Sequence, residues 1–85
     1  MKEFTYTITD ELGIHARPAG MLVKEASKYS SNITIECNGK SADVKKIFSL
    51  MSLGAKCSNV LKIKIDGVDE LDACLGLEDF FKKIL

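Results

Sequence analysis

Histidine, arginine and proline come together once in this chain, in Gly13-Ile14-His15-Ala16-Arg17-Pro18-Ala19-Gly20, which holds its only histidine and its only proline. An imidazole is a nucleophile near neutral pH and can carry a covalent intermediate. A guanidinium is a permanent cation whose planar fork of donors matches phosphate oxygens. Pro18 suits the first turn of a helix, where its missing N–H costs nothing and its fixed φ is already helical. A helix is therefore predicted to start near Ala16, with His15 at its cap. The first turn presents unpaired N–H groups and a partial positive charge to an anion in front of it. These residues point to a phosphohistidine site. A capping or half-buried histidine beside a surface arginine is the alternative, and the residue types alone leave it open.

The elements that must position this segment are legible from periodicity. Leu22, Val23 and Ala26 follow Ala19 at the spacing of one buried helical face and carry the helix to about Tyr29, where Ser30-Ser31-Asn32 ends it. Before it, Phe4, Tyr6 and Ile8 alternate with Glu3, Thr5 and Thr7, a strand with one buried face. Asp10 to Gly13 breaks that pattern. Ile33, Ile35 and Cys37 alternate with Thr34 and Glu36, and Asn38-Gly39 then marks a hairpin to a short strand at Lys40 to Asp43. Ile47 to Leu53 is too apolar all round for a small domain to bury every side chain, and it closes at Gly54, so some of it should be exposed; Phe48 and Met51 are the foremost candidates, with completion of the core as the alternative. Leu61, Ile63 and Ile65 form a fourth strand, which Gly67 ends. Asp69 is positioned to cap a last helix with a buried stripe of Ala73, Cys74, Leu77, Phe81 and Ile84, and Lys82 and Lys83 favour its final turn. Gly76 inside that helix costs about 1 kcal/mol relative to Ala. The order is βαββαβα, an α+β fold in which one layer of helices covers one sheet.

Eighty-five residues make a single domain, 1–85, with one modest core. Lys+Arg and Asp+Glu are 12 each, so no global basic field draws the chain to nucleic acid or acidic lipid. No apolar run reaches the roughly 20 residues of a membrane span, nor is there one of signal-peptide length at Met1-Lys2-Glu3-Phe4-Thr5, so a cytoplasmic protein is expected, without membrane insertion. Cys37, Cys57 and Cys74 are odd in number and widely spaced, which indicates neither a disulfide framework nor a metal site. Cys37 and Cys74 read as core residues and Cys57 as an accessible loop thiol.

The segment Gly13-Ile14-His15-Ala16-Arg17-Pro18-Ala19 resembles the signature of the HPr family, the histidine-containing phosphocarriers of the bacterial phosphoenolpyruvate-dependent sugar phosphotransferase system. Asn38-Gly39-Lys40, the block Ile47-Phe48-Ser49-Leu50-Met51-Ser52-Leu53-Gly54 and the chain length fit the same family. The resemblance implies an open-faced β-sandwich, a four-stranded antiparallel sheet covered on one face by three helices. It implies that His15 accepts a phosphoryl group at Nδ1 from phosphorylated enzyme I and donates it to a sugar-specific enzyme IIA. The protein would then be a transiently modified monomeric carrier and not an enzyme, with no cofactor. Ala16 and Arg17 would steady the phosphoryl group. Ala16, Arg17, Gly20, Lys24, Ile47, Phe48, Met51 and Gly54 would bind partners, with Lys45 and Lys46 as further docking charges for acidic surfaces.

One departure concerns regulation. Family members from low-GC Gram-positive bacteria carry at position 46 a serine that a kinase phosphorylates in carbon catabolite repression, whereas this chain has Lys46. Leu12 also replaces the small polar residue common beside the histidine. A regulatory module of the same fold, acting on transcription factors or enzymes, is the alternative function, and the presence of His15 opposes it. A copper-carrier domain of similar element order would need paired cysteines between Asp10 and His15, and none is there.

Overall fold

The structure is a computed structural model and describes residues 1–85. Its elements run β1 (Lys2–Thr7), α1 (Ala16–Ala26), β2 (Asn32–Cys37), β3 (Lys40–Asp43), α2 (Ile47–Met51), β4 (Val60–Asp66) and α3 (Glu70–Ile84). The predicted order βαββαβα and the antiparallel sheet are both observed, with strand order β1-β4-β2-β3. Side chains alternate across the pleat, so each strand gives one row to the core and one to solvent. Ile33, Ile35, Leu61, Ile63 and Ile65 form the buried rows, which the helices cover. The other face is polar, and Lys64 pairs there with Glu36 at 2.9 Å. Asn38 and Gly39 both take positive φ, 54° and 77°, as the tight hairpin requires.

Phe81 ties α3 to the sheet: its ring lies 5.7 Å from that of Phe4 and 5.8 Å from that of Tyr6, and it is fully buried. Removing such a side chain from water is worth about 2–3 kcal/mol.

Several boundaries differ from the sequence reading for local reasons. Helix α1 stops at Ala26, not near Tyr29. The Ser27 hydroxyl donates to the Val23 carbonyl at 2.7 Å, and the next two amides turn back to Glu25 and Ala26 in tighter three-residue steps. Tyr29 still packs on the core, but from a turn. Helix α2 ends at Met51, with Gly54 reversing the chain at φ 64°. In the stripe of α3, Ala73, Leu77 and Phe81 are fully buried, while Cys74 and Ile84 pack against the core half-buried. Asp69 occupies the cap position without capping: its carboxylate accepts from the Ser30 amide at 2.8 Å, the Ser31 amide at 3.0 Å and the Ser31 hydroxyl.

Candidate functional site

The loop that carries His15 is held at both ends. The Leu12 amide donates to the Asp10 carboxylate at 2.8 Å and the Gly13 amide to the Asp10 carbonyl at 3.0 Å, a turn closed on Asp10. Gly13 has φ 66° and lies flat against the segment after α2. A Cβ there would strike the Ala55 carbonyl oxygen and come within 2.7 Å of the Lys56 Cα. The Ile14 amide then donates to that same Ala55 carbonyl at 3.0 Å, and the Ile14 side chain is buried. On the other side Pro18 and Ala19 are buried in the first turns of α1. His15 is thus suspended between two anchored points.

Its own backbone is extended, φ −119° and ψ −174°, and its carbonyl accepts the Ala19 amide at 3.0 Å as the first helical bond. The imidazole makes no capping bond and is half-exposed. Ala16 and Arg17 are exposed beside it, and no acidic residue lies in the first turn of α1 to neutralise the helix N-terminus. An anion at this point would meet the free amides of the first turn, the positive end of the helix dipole and one guanidinium.

A cavity of about 260 Å³ opens in front of the histidine. Asp10, His15, Arg17, Pro18 and Met21 line it from the loop and α1, while Lys83 and Ile84 line it from the end of α3. That end is fastened to the loop: the Thr9 amide, the Asp10 amide and the Thr9 hydroxyl all donate to the Leu85 main-chain oxygen, at 2.7, 2.8 and 2.8 Å. A larger hollow at the β2–β3 hairpin, between Glu36 and Ser41, shares no residue with it.

Around the histidine, α1 and α2 pack side by side. Gly20 faces Ile47 across this contact, and a Cβ there would meet the Ile47 Cδ1 at 3.8 Å, an ordinary van der Waals distance. Phe48 is 84% exposed and Met51 is 41% exposed, so of the two alternatives left by the sequence they take the exposed one. Lys24 and Gly54 are exposed, and Lys46 is the exposed cap residue of α2. Lys45 is placed differently from the other lysines: it is half-buried and its Nζ donates to the Tyr29 carbonyl at 2.7 Å, closing the turn after α1. Ser49 is half-buried, and Ser52 is exposed with its hydroxyl donating back to the Ser49 carbonyl at 2.7 Å.

Three residues of this region escape the sequence reading. Met21, 40% exposed, follows Arg17 by one helical turn, so its spacing carried the signal. Asp10 had only its place at the end of a strand. Lys83 had no local signal at all, because its position depends on the end of α3 meeting the loop after β1. The thiols follow expectation more closely: Cys57 is exposed, and burial pushes the Cys37 and Cys74 thiols above their usual value, which keeps them protonated and inert.

Residues 2–83 match the family described as "PTS HPr component phosphorylation site". The chain belongs to the HPr family. This HPr-family chain is 42% identical to HPr-C-His from Thermoanaerobacter tengcongensis, with a TM-score of 0.92 over 98% of this chain and 93% of that one. It is also 42% identical to the histidine-containing phosphocarrier protein of a Mycoplasma, with a TM-score of 0.89 over 92% of this chain and 89% of the other. Crh, a catabolite repression protein of Bacillus subtilis described as a dimer with a swapping domain, is 29% identical, with a TM-score of 0.78 over 94% of this chain and 92% of its own. The HPr family consists of phosphocarrier proteins, not catalytic enzymes. No helix of this member is long and apolar enough to cross a membrane.

Proposed function

We propose that this protein is a phosphocarrier that takes a phosphoryl group on His15 from phosphorylated enzyme I and passes it to a sugar-specific enzyme IIA. In the first step the His15 Nδ1 lone pair attacks phosphorus, and the P–N bond forms as the bond to the donor breaks. In the second the acceptor attacks and His15 leaves as the neutral imidazole. The phosphoryl oxygens carry their charge throughout, so the carrier must stabilise an anion without trapping it.

The observation that carries this reading is the position of the sole histidine, unengaged and half-exposed at the N-terminus of α1 beside the exposed Arg17. A phosphoryl group on His15 would have the free amides and dipole of α1 in front of it and Arg17 in the wall of the same cavity, which supports this reading. Partners would dock on the apolar surface of Ile47, Phe48 and Met51, with Ala16, Gly20 and Gly54 at its edges and Lys24 and Lys46 steering acidic surfaces toward it. Lys45, already bonded to Tyr29, would contribute charge from a distance. The carrier is proposed to act as a cytoplasmic monomer, because one face has to serve donor and acceptor in succession. His15 also separates this reading from a purely regulatory role of the Crh kind.

Incubation with phosphoenolpyruvate and enzyme I, followed by intact-mass measurement and acid treatment, tests the proposal. One acid-labile phosphoryl adduct is expected on the parent and none on His15→Ala, which should fold normally. Labelling that persists in His15→Ala sinks it.

A further inference from the structure

Lys83 is the one cation that the tertiary structure brings to the histidine from the far end of the sequence. We propose that it is a second phosphoryl-binding cation, held in reserve by Asp79 until His15 is phosphorylated; the inference rests on the phosphocarrier reading above. Lys83 and Arg17 line the same cavity as His15, from α3 and α1 respectively. The bonds from Thr9 and Asp10 to Leu85 fix the end of α3 against the loop, so Lys83 is not there by fraying.

The charges facing the cavity explain why a second cation matters. Asp10 lines it as well, with one carboxylate oxygen occupied by the Leu12 amide. Arg17 alone would only balance Asp10, leaving the helix N-terminus to hold a dianion. Lys83 offsets Asp10 and the negative C-terminal end of α3, whose last main-chain oxygen is bonded to the loop, so that Arg17 is left for the phosphoryl group. In the unphosphorylated protein the Lys83 Nζ lies 2.9 Å from the Asp79 carboxylate one turn back along α3, and both side chains are about two-thirds exposed. Such an exposed i,i+4 pair is weak, since water solvates both partners and screens their attraction. A phosphoryl dianion is the stronger competitor for the ammonium, and a flexible four-carbon stem can swing between the two. Asp79 thereby keeps Lys83 near the cavity and gives it up at small cost.

The phosphorylated parent, prepared with phosphoenolpyruvate and enzyme I, is titrated with pH while the phosphohistidine resonance is followed by phosphorus NMR. Nearby positive charge favours the dianion, so Lys83→Gln should raise the titration midpoint by about half a unit at low salt, fading at high salt. Lys83→Arg should restore the parent value. Asp79→Asn breaks the same ion pair but leaves the ammonium free, and should lower the midpoint. A Lys83→Gln midpoint equal to that of the parent overturns the proposal. So does an upward shift in Asp79→Asn, which would trace the effect to the helix end and not to the charge. A parent that yields no phosphohistidine resonance overturns the phosphocarrier reading itself.

Discussion

Asp69 gives its carboxylate to Ser31, across the gap between α3 and the start of β2, and not to the helix it precedes. Ser31 is 1% exposed, and its hydroxyl and amide, with the Ser30 amide, all donate to this one side chain. The bond from the Ser31 hydroxyl, followed by the amide bonds, holds the Asp69 carboxyl below its usual value. Because the folded value is depressed, the stabilisation is fully present above the ordinary carboxyl value of about 4 and is lost as pH falls through the lower folded one. Asp69→Asn should therefore melt at a lower temperature than the parent at neutral pH. The gap between the two should close on acidification below about pH 4, as thermal denaturation across pH will show; a gap that stays constant would mean that charge plays no part.

Gly76 faces Tyr29 in the same region. A Cβ on Gly76 would collide with the Tyr29 hydroxyl, and the ring Cζ would be 3.2 Å away. Helix propensity favours Ala over Gly by about 1 kcal/mol, whereas overpacking a filled site costs about 1–3 kcal/mol. Gly76→Ala should accordingly lower stability in urea denaturation. Adding Tyr29→Phe, which deletes the colliding atom, should recover most of the loss; if Gly76→Ala alone is stabilising, the contact is unimportant.

Arg17 is exposed and makes no ion pair, so its removal should leave the fold nearly untouched. Transfer is a different matter, since a cation at developing phosphoryl charge acts in the transition state. Arg17→Ala should retain the parent melting temperature within about 0.5 kcal/mol of stability while phosphorylation by enzyme I slows by about tenfold or more. Parent-like rates with both donor and acceptor would reduce Arg17 to a surface residue.

Lys46 caps α2 one residue before the apolar patch and is exposed. Its charge should assist encounter with an acidic partner through long-range attraction that salt screens. Lys46→Glu should raise the apparent KM for the carrier in the enzyme I reaction, with the loss shrinking at high salt, and Lys46→Ser should cost less. Efficient phosphorylation of Lys46→Glu at low salt would remove the electrostatic role. With no hydroxyl at position 46, the protein should also resist HPr kinase there; labelling of Ser49 or Ser52 in the parent would show that serine control has moved and not gone.

What the sequence by itself determined is local in origin. Alternation in Ile33 to Cys37 and Leu61 to Ile65, the turn Asn38-Gly39, and Pro18 at the start of a helix each act within a few residues, so element order and fold class follow from them. That part of the apolar segment from Ile47 to Leu53 must face solvent was legible too, but which side chains do so was not, and packing decided it for Phe48. What only the tertiary structure decided involves partners far apart in the chain. Asp69 reads as a helix cap until Ser31 is brought beside it, because a buried hydroxyl and two amides outcompete the helix's own first turn for a single carboxylate. Gly76 reads as a flaw until Tyr29 fills the space that its missing Cβ leaves. Lys83 reads as a favourable charge at a helix end until the bonds from Thr9 and Asp10 to Leu85 close the chain on itself and set it across the cavity from His15. Periodicity and turn chemistry are properties of neighbours along the chain, whereas these pairings exist only once the hydrophobic core has fixed which surfaces meet.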